Sequence, residues 1–164
     1  MAHHGTRLSM LGVLGLALSV YAIHVKKQKM ELKDEYSALC DSEAYSCSQV
    51  LTSEYSSLLS HLGLVEKHST LDVSNAHLGV LAYSLFALYS VIRKVPYHAQ
   101  FYAAVSFFMA VVIVYLAYIL AFVLRDFCMV CVATYIITAA LVWTSLAMLR
   151  AERSVLRSKS TKVE

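Results

Sequence analysis

The sequence predicts an all-α integral membrane protein, a four-helix bundle with a polar cap between its first and second helices. Three observations point there. Of the 164 residues, 59% are hydrophobic and only 15% charged, and the mean hydropathy is +0.60, far from the balance of a soluble domain. The apolar material comes in four long runs, residues 8–25, 76–92, 98–124 and 127–149, each free of Asp, Glu, Lys and Arg. Each is near the ~20 residues that cross ~30 Å of hydrocarbon at about 1.5 Å per residue. Polar residues concentrate between the first two runs, where residues 26–75 hold eight of the eleven acidic side chains. The formal net charge is only +3, and no nucleic-acid partner is expected.

The first run follows Arg7, and Val20-Tyr21-Ala22 has the small-residue character of a signal cleavage site. Apolarity nevertheless continues to Val25 and stops at Lys26-Lys27, as it does at the end of a retained helix. His3-His4 carries no assigned role. The 26–75 segment is too short and too poor in aliphatic residues for an independent domain, so it is expected to fold onto the bundle as a cap. Within it the serines from Ser53 to Ser60 alternate with Leu58 and Leu59, and Leu62 to Val65 forms a short apolar patch suited to the membrane surface. His61 and His68 read as solvated cap residues. Ser74 and Asn75 start the second helix, where capping is their default role. The third run is longer than a span requires and is expected to tilt or project. It passes through Arg125 and Asp126 into the fourth by a tight turn. The tail from Arg150 to Glu164 is basic and lacks apolar periodicity, which predicts a frayed helix end followed by disordered chain. Residues 1–164 thus form one membrane domain.

Counting crossings puts the cap and the 125–127 turn on the same side of the membrane, and with them all four cysteines. Lys and Arg number eight at Arg7, Arg93, Lys94 and the tail against six in the cap and turn, which leans toward cytosolic termini. Two thiol pairs facing one compartment suit one in which disulfides persist, so a multi-pass protein of the endoplasmic reticulum membrane is expected. The pairs are Cys40 and Cys47 in the cap, a C-x6-C interval, and Cys128 and Cys131 in Phe127-Cys128-Met129-Val130-Cys131. Neither interval matches a zinc site, and no metal is expected. On spacing alone, a static loop staple and a redox relay fit Cys40 and Cys47 equally. The C-x-x-C dithiol is different, because a pair at that spacing closes and reopens a small disulfide beside whatever dissolves in lipid. Cys128 is expected in the first turn of the fourth helix, where unpaired backbone N–H groups lower a thiol's pKa, with Asp126 as the cap. At 100° per residue Cys128, Cys131 and Tyr135 fall within about 60° of one another. Asn75 starts a helix on the same side and offers an amide, while His77 and Arg125 are candidate electrostatic neighbours.

These residues together resemble the vitamin K epoxide reductase family. Ser19-Val20-Tyr21-Ala22-Ile23-His24-Val25 resembles the end of the family's first helix, and Ala38-Leu39-Cys40-Asp41 with Ser46-Cys47-Ser48 resembles its loop cysteines. Gly63-Leu64-Val65-Glu66, Ser74-Asn75 and Gly79 are similar to its cap and second helix. The strongest likeness is Tyr115-Leu116-Ala117-Tyr118-Ile119-Leu120 followed by Phe127 to Cys131 and Thr134-Tyr135. The resemblance implies reduction of vitamin K 2,3-epoxide to the quinone and of the quinone to the hydroquinone, with no bound cofactor and an external dithiol as reductant. It implies Cys131 as the substrate-facing nucleophile, Cys128 as its exchange partner, and Cys40 with Cys47 as a relay fed by a lumenal thioredoxin-like oxidoreductase. Asn75 and Tyr135 match the donors to the two substrate oxygens, and Leu51, Ser53 and Tyr55 fall where the cap covers the pocket. Two departures stand out. The loop cysteines enclose six residues where the vertebrate enzymes have seven, and Tyr55-Ser56-Ser57-Leu58-Leu59 replaces an arginine- and glycine-rich cap motif. Cap contacts, substrate preference and anticoagulant sensitivity therefore do not carry over. Two other functions fit the residues: a quinone-coupled disulfide-forming oxidase, and a non-enzymatic, disulfide-stapled membrane adaptor.

Overall fold

The computed structural model describes residues 2–32, 35–41, 46–57, 74–92 and 98–160. Among them all regular structure is helical. Helix α1 is Ala2–Leu32, α2 is Cys47–Thr52 with a 3-10 turn at Glu54–Ser56, α3 is Asn75–Ala87, α4 is Tyr89–Ile92, α5 is His98–Tyr118 and α6 is Met129–Ser160. Three stretches, His4–Leu32, His98–Leu124 and Met129–Val155, are long and apolar enough to cross a membrane. The second apolar run is shorter and interrupted, because Leu88 breaks it into α3 and the single turn α4.

The helices outrun the predicted spans. α1 extends to Leu32, and α6 starts at Met129 and continues to Ser160, so the basic tail is helical over most of its length rather than frayed from Arg150. Arg150, Arg153 and Arg157 are good helix formers, and the charge of Arg157, in the last turn, complements the helix dipole. Residues 161–164 lie outside the described residues, as do His61, His68, Leu58, Leu59 and the Leu62 to Val65 patch.

Helix α1 packs along α3 and α6, and α5 packs along α6, while α3 and α5 make only sparse contact. Glycine permits the closest of these approaches. A Cβ on Gly12 would run into the backbone of Ala87 and lie 2.7 Å from the Phe86 carbonyl carbon. The larger core cluster holds Leu8, Tyr83, Phe86, Tyr89, Ala99, Tyr102, Leu141 and Met148. Tyr102 is its centre, with ring centroids 5.1 Å from both Phe86 and Tyr89. Its hydroxyl donates to the Leu85 carbonyl at 2.7 Å, which satisfies a phenol that apolar surroundings would otherwise leave costly. Phe107, Phe108, Val111 and Val114 on α5, and Trp143 on α6, point outward and exposed. Side chains of that kind are at home against lipid.

The third apolar run ends as π-helix over Ile119–Leu124, and Arg125 then adopts a left-handed φ of 50°. That conformation stops the helix and turns the chain within four residues into α6, the tight turn expected from the sequence.

Candidate functional site

The site grows from that turn. Asp126 Oδ1 accepts the N–H of Phe127 at 2.7 Å and the N–H of Ser46, in the cap, at 3.2 Å. Asp126 therefore ties cap to turn and does not cap α6. The N-terminal position of α6 belongs to Cys128, whose carbonyl accepts from Val132 at 3.0 Å and whose Sγ accepts the N–H of Cys131 at 3.2 Å. Cys128 thus sits one residue upstream of the first turn expected for it. Cys131 is on the helix, with its carbonyl taken by Thr134 Oγ1 at 2.7 Å.

The cap is organised by Asp41. Its carboxylate accepts from Ala38 N at 2.8 Å and Ser48 N at 2.9 Å. Burial acts to raise its pKa, but these N–H bonds outweigh burial and hold the carboxyl below its ordinary value of 3.8. Ser46 is the N-cap of α2, its side chain accepting from Gln49 N at 3.4 Å. The far edge of the cap is held from the bundle: Lys26 Nζ donates to Ser56 Oγ at 2.9 Å, and Asn75 Nδ2 donates to the Tyr55 carbonyl at 2.9 Å.

Both cysteine pairs are disulfide-bonded, Cys40 to Cys47 with Cα atoms 5.8 Å apart and Cys128 to Cys131 with Cα atoms 5.2 Å apart. All four belong to one cluster, built around Ala22, Cys47, Val50, Leu120, Cys128 and Val130. Cys47 and Cys128 are fully buried, whereas Cys40 and Cys131 are partly exposed. Below the cluster lies an apolar cavity of about 350 Å³, and Cys131, Tyr135, Asn75, Leu51, Ser53 and Tyr55 all line it. Every residue singled out from the sequence as substrate-facing therefore meets at one space. Leu78, Leu81 and Ala82 of α3 and Phe108, Met109 and Val112 of α5 continue its wall, so the cavity follows the sparsely packed seam between these helices. Cys128 does not line it and is reached through Cys131.

His77 and Arg125 play no part in this space. His77 is exposed with Nδ1 3.3 Å from the Ser74 hydroxyl, and Arg125 serves the turn. Sequence reasoning missed Asp41, Lys26 and the Tyr83–Thr138 pair, whose hydroxyls lie 2.8 Å apart and join α3 to α6. A carboxylate beside Cys40 was the available signal for Asp41; the other two depend on long-range packing.

Two disulfides that share a buried cluster, one of them reaching an apolar cavity through Cys131, among helices long and apolar enough to cross a membrane, are the arrangement of a membrane thiol–disulfide oxidoreductase. The chain belongs to the vitamin K epoxide reductase family, whose model matches residues 7–146. It is 41% identical over 141 residues to vitamin K epoxide reductase complex subunit 1 of Mus musculus, covering 82% of this chain and 84% of that one. The same subunit of Rattus norvegicus is 40% identical over the same coverage.

Proposed function

We propose that this protein reduces vitamin K 2,3-epoxide to the quinone, and the quinone to the hydroquinone, as a single-domain, four-helix bundle of the endoplasmic reticulum membrane with cytosolic termini. In this reading the interrupted α3–α4 segment is the second span and the segment between α1 and α3 is the lumenal cap. The observation that carries it is the gradation of exposure along one sulfur cluster: Cys40 partly open, Cys47 and Cys128 buried, Cys131 open to the cavity. Electrons enter at the first and leave at the last.

Cys131, as thiolate, attacks the epoxide or quinone while Asn75 and Tyr135 donate to the two ring oxygens, where negative charge develops. Cys128 then attacks Cys131 Sγ, the carbon–sulfur bond breaks, and the 128–131 disulfide closes. For the epoxide, one oxygen leaves as water and the dithiol supplies two electrons and two protons. Leu51, Ser53 and Tyr55 cover the substrate from above. Cys47 reopens the disulfide through a bond to Cys128, and Cys40 and Cys47 are in turn reduced by a lumenal thioredoxin-like protein. The chemistry requires no bound cofactor.

Two variants test this. Cys131→Ser should abolish turnover with every reductant. Cys40→Ala with Cys47→Ala should retain turnover with a small dithiol, which enters the cavity directly, and lose it with a thioredoxin-like protein, which is too large to enter. Full activity of Cys131→Ser ends the mechanism, and protein-driven turnover without the cap pair ends the relay.

A further inference from the structure

Two buried side-chain oxygens lack a hydrogen-bond partner among the described residues, the hydroxyls of Tyr21 and Ser145. A mid-helix serine can rotate its hydroxyl onto the carbonyl four residues back at little cost. A phenol is held at the far end of a rigid ring, and an unpartnered one carries a desolvation cost that a phenylalanine would not. Tyr21, in the C-terminal half of α1, packs against the cluster that contains Cys47 and Cys128. It lies on the cap side of that cluster, since together with Asp41 it acts electrostatically on Tyr36, whose pKa is raised by burial and then by these two.

With the disulfide closed this phenol has no hydrogen-bond partner among the described residues, and opening the disulfide creates a charged sulfur in the cluster it packs against. Cys40 Sγ, Cys47 Sγ and a carboxylate oxygen of Asp41 lie within 4.8 Å of one another. When a donor thiolate bonds to Cys40 Sγ, the Cys40–Cys47 bond breaks and Cys47 leaves with the electron pair. A thiolate so formed is fully buried and has a carboxylate beside it, and both conditions disfavour it. Its other neighbours in the cluster, among them Ala22, Val50 and Leu120, are apolar.

We propose that Tyr21 is a positioning residue of the relay, whose hydroxyl donates a hydrogen bond to the Cys47 thiolate released on opening of the cap disulfide. This rests on the relay reading above. The proton stays on the phenol. The donor's second thiol attacks the donor sulfur bonded to Cys40, closing the donor's own disulfide and releasing Cys40, so the donor is oxidised by two electrons. Cys47 then attacks Cys128 Sγ and expels Cys131 as the thiolate that meets substrate, and Cys40 attacks Cys47 Sγ, re-forming the cap disulfide and releasing Cys128. Tyr21 thereby holds a nucleophile in its charged form next to its target.

The test is Tyr21→Phe, which keeps the ring in the cluster and removes an oxygen that has no hydrogen-bond partner among the described residues, so the oxidised variant should melt no lower than the wild type. Loss of one hydrogen bond to a charged sulfur should lower the ratio of protein-donor to small-dithiol turnover about tenfold. In chains also carrying Cys128→Ala and Cys131→Ala, reduced and followed by mass spectrometry of the Cys47 peptide, the midpoint of iodoacetamide alkylation should move up by about one pH unit on Tyr21→Phe. The wild type should also show a tyrosine C–O band in its infrared difference spectrum on reduction, a readout that survives if the variant folds poorly. An unmoved ratio and midpoint, or no tyrosine band, overturns the role of Tyr21. The relay itself is judged separately: protein-driven turnover that persists in Cys40→Ala with Cys47→Ala means that the relay reading, not the phenol, has failed.

Discussion

Asp126→Ala should uncouple the cap from the C-x-x-C turn. In the native protein its Oδ1 accepts two N–H groups, from Phe127 at 2.7 Å and Ser46 at 3.2 Å. The first is a bond to the adjacent residue and forms whether or not the cap is docked, so only the second, spanning 80 positions, favours docking. A hydrogen bond to a charged group contributes about 1.5–3 kcal/mol, and Asp126 is partly solvated, so the lower end applies, about 1.5 kcal/mol. That is a factor of about ten in the ratio of docked to undocked cap. Amide hydrogen exchange over residues 46–57 should therefore accelerate about tenfold relative to the bundle core, and protein-driven turnover should fall while Asp126→Asn, which keeps an acceptor oxygen, loses less. Unchanged exchange in Asp126→Ala would refute the reasoning, because the cap would then be held without this bond.

Three further outcomes follow from the geometry. Asp41 has a depressed pKa in the folded cap, so its contribution is fully present above the unfolded value of about 3.8 and is lost as pH falls through the lower folded value; cap hydrogen exchange titrated downward from pH 5 should show this acid loosening, and Asp41→Asn should flatten it. Gly12→Ala drives a methyl group into the backbone of Ala87 and should destabilise the α1–α3 packing by about 1–3 kcal/mol, seen as a lower melting temperature in detergent. Tyr83→Phe removes the 2.8 Å bond to Thr138, leaving that hydroxyl its bond to the Thr134 carbonyl at 2.9 Å; the cost should be about 1 kcal/mol by thermal melting, with little change in turnover.

What the sequence carried, and what it did not, divides along one physical line. Long apolar runs report on solvent, so the runs 8–25, 98–124 and 127–149 were legible as helices long enough to cross a membrane, although the helical stretches reach Leu32 and Val155. The dithiol, Tyr135 and Asn75 were legible because helical angle and helix starts are local properties. The cap was not. Helix α2 is six residues long and depends on Ser46, Asp41 and Asp126, whose bonds reach across gaps of up to 80 positions. Asp126 was misread for the same reason: the residue before a helix looks like its cap until a distant N–H competes for it. Cys128 took the capping position itself, through its sulfur. The tail was misread because helix α6 extends through Arg150 to Ser160 on propensity and charge placement, without the apolar period that sequence reading requires.

In the proposed mechanism electrons reach the quinone ring from the Cys128–Cys131 pair. The most direct measurement is a single turnover: protein with Cys40→Ala and Cys47→Ala is fully reduced, freed of reductant, mixed with vitamin K 2,3-epoxide, quenched with an alkylating agent, and analysed by mass spectrometry for the 128–131 peptide alongside the quinone formed. One closed disulfide should appear for each epoxide consumed. Epoxide converted while both sulfurs still alkylate as thiols, or disulfide closing with no quinone produced, would contradict the account.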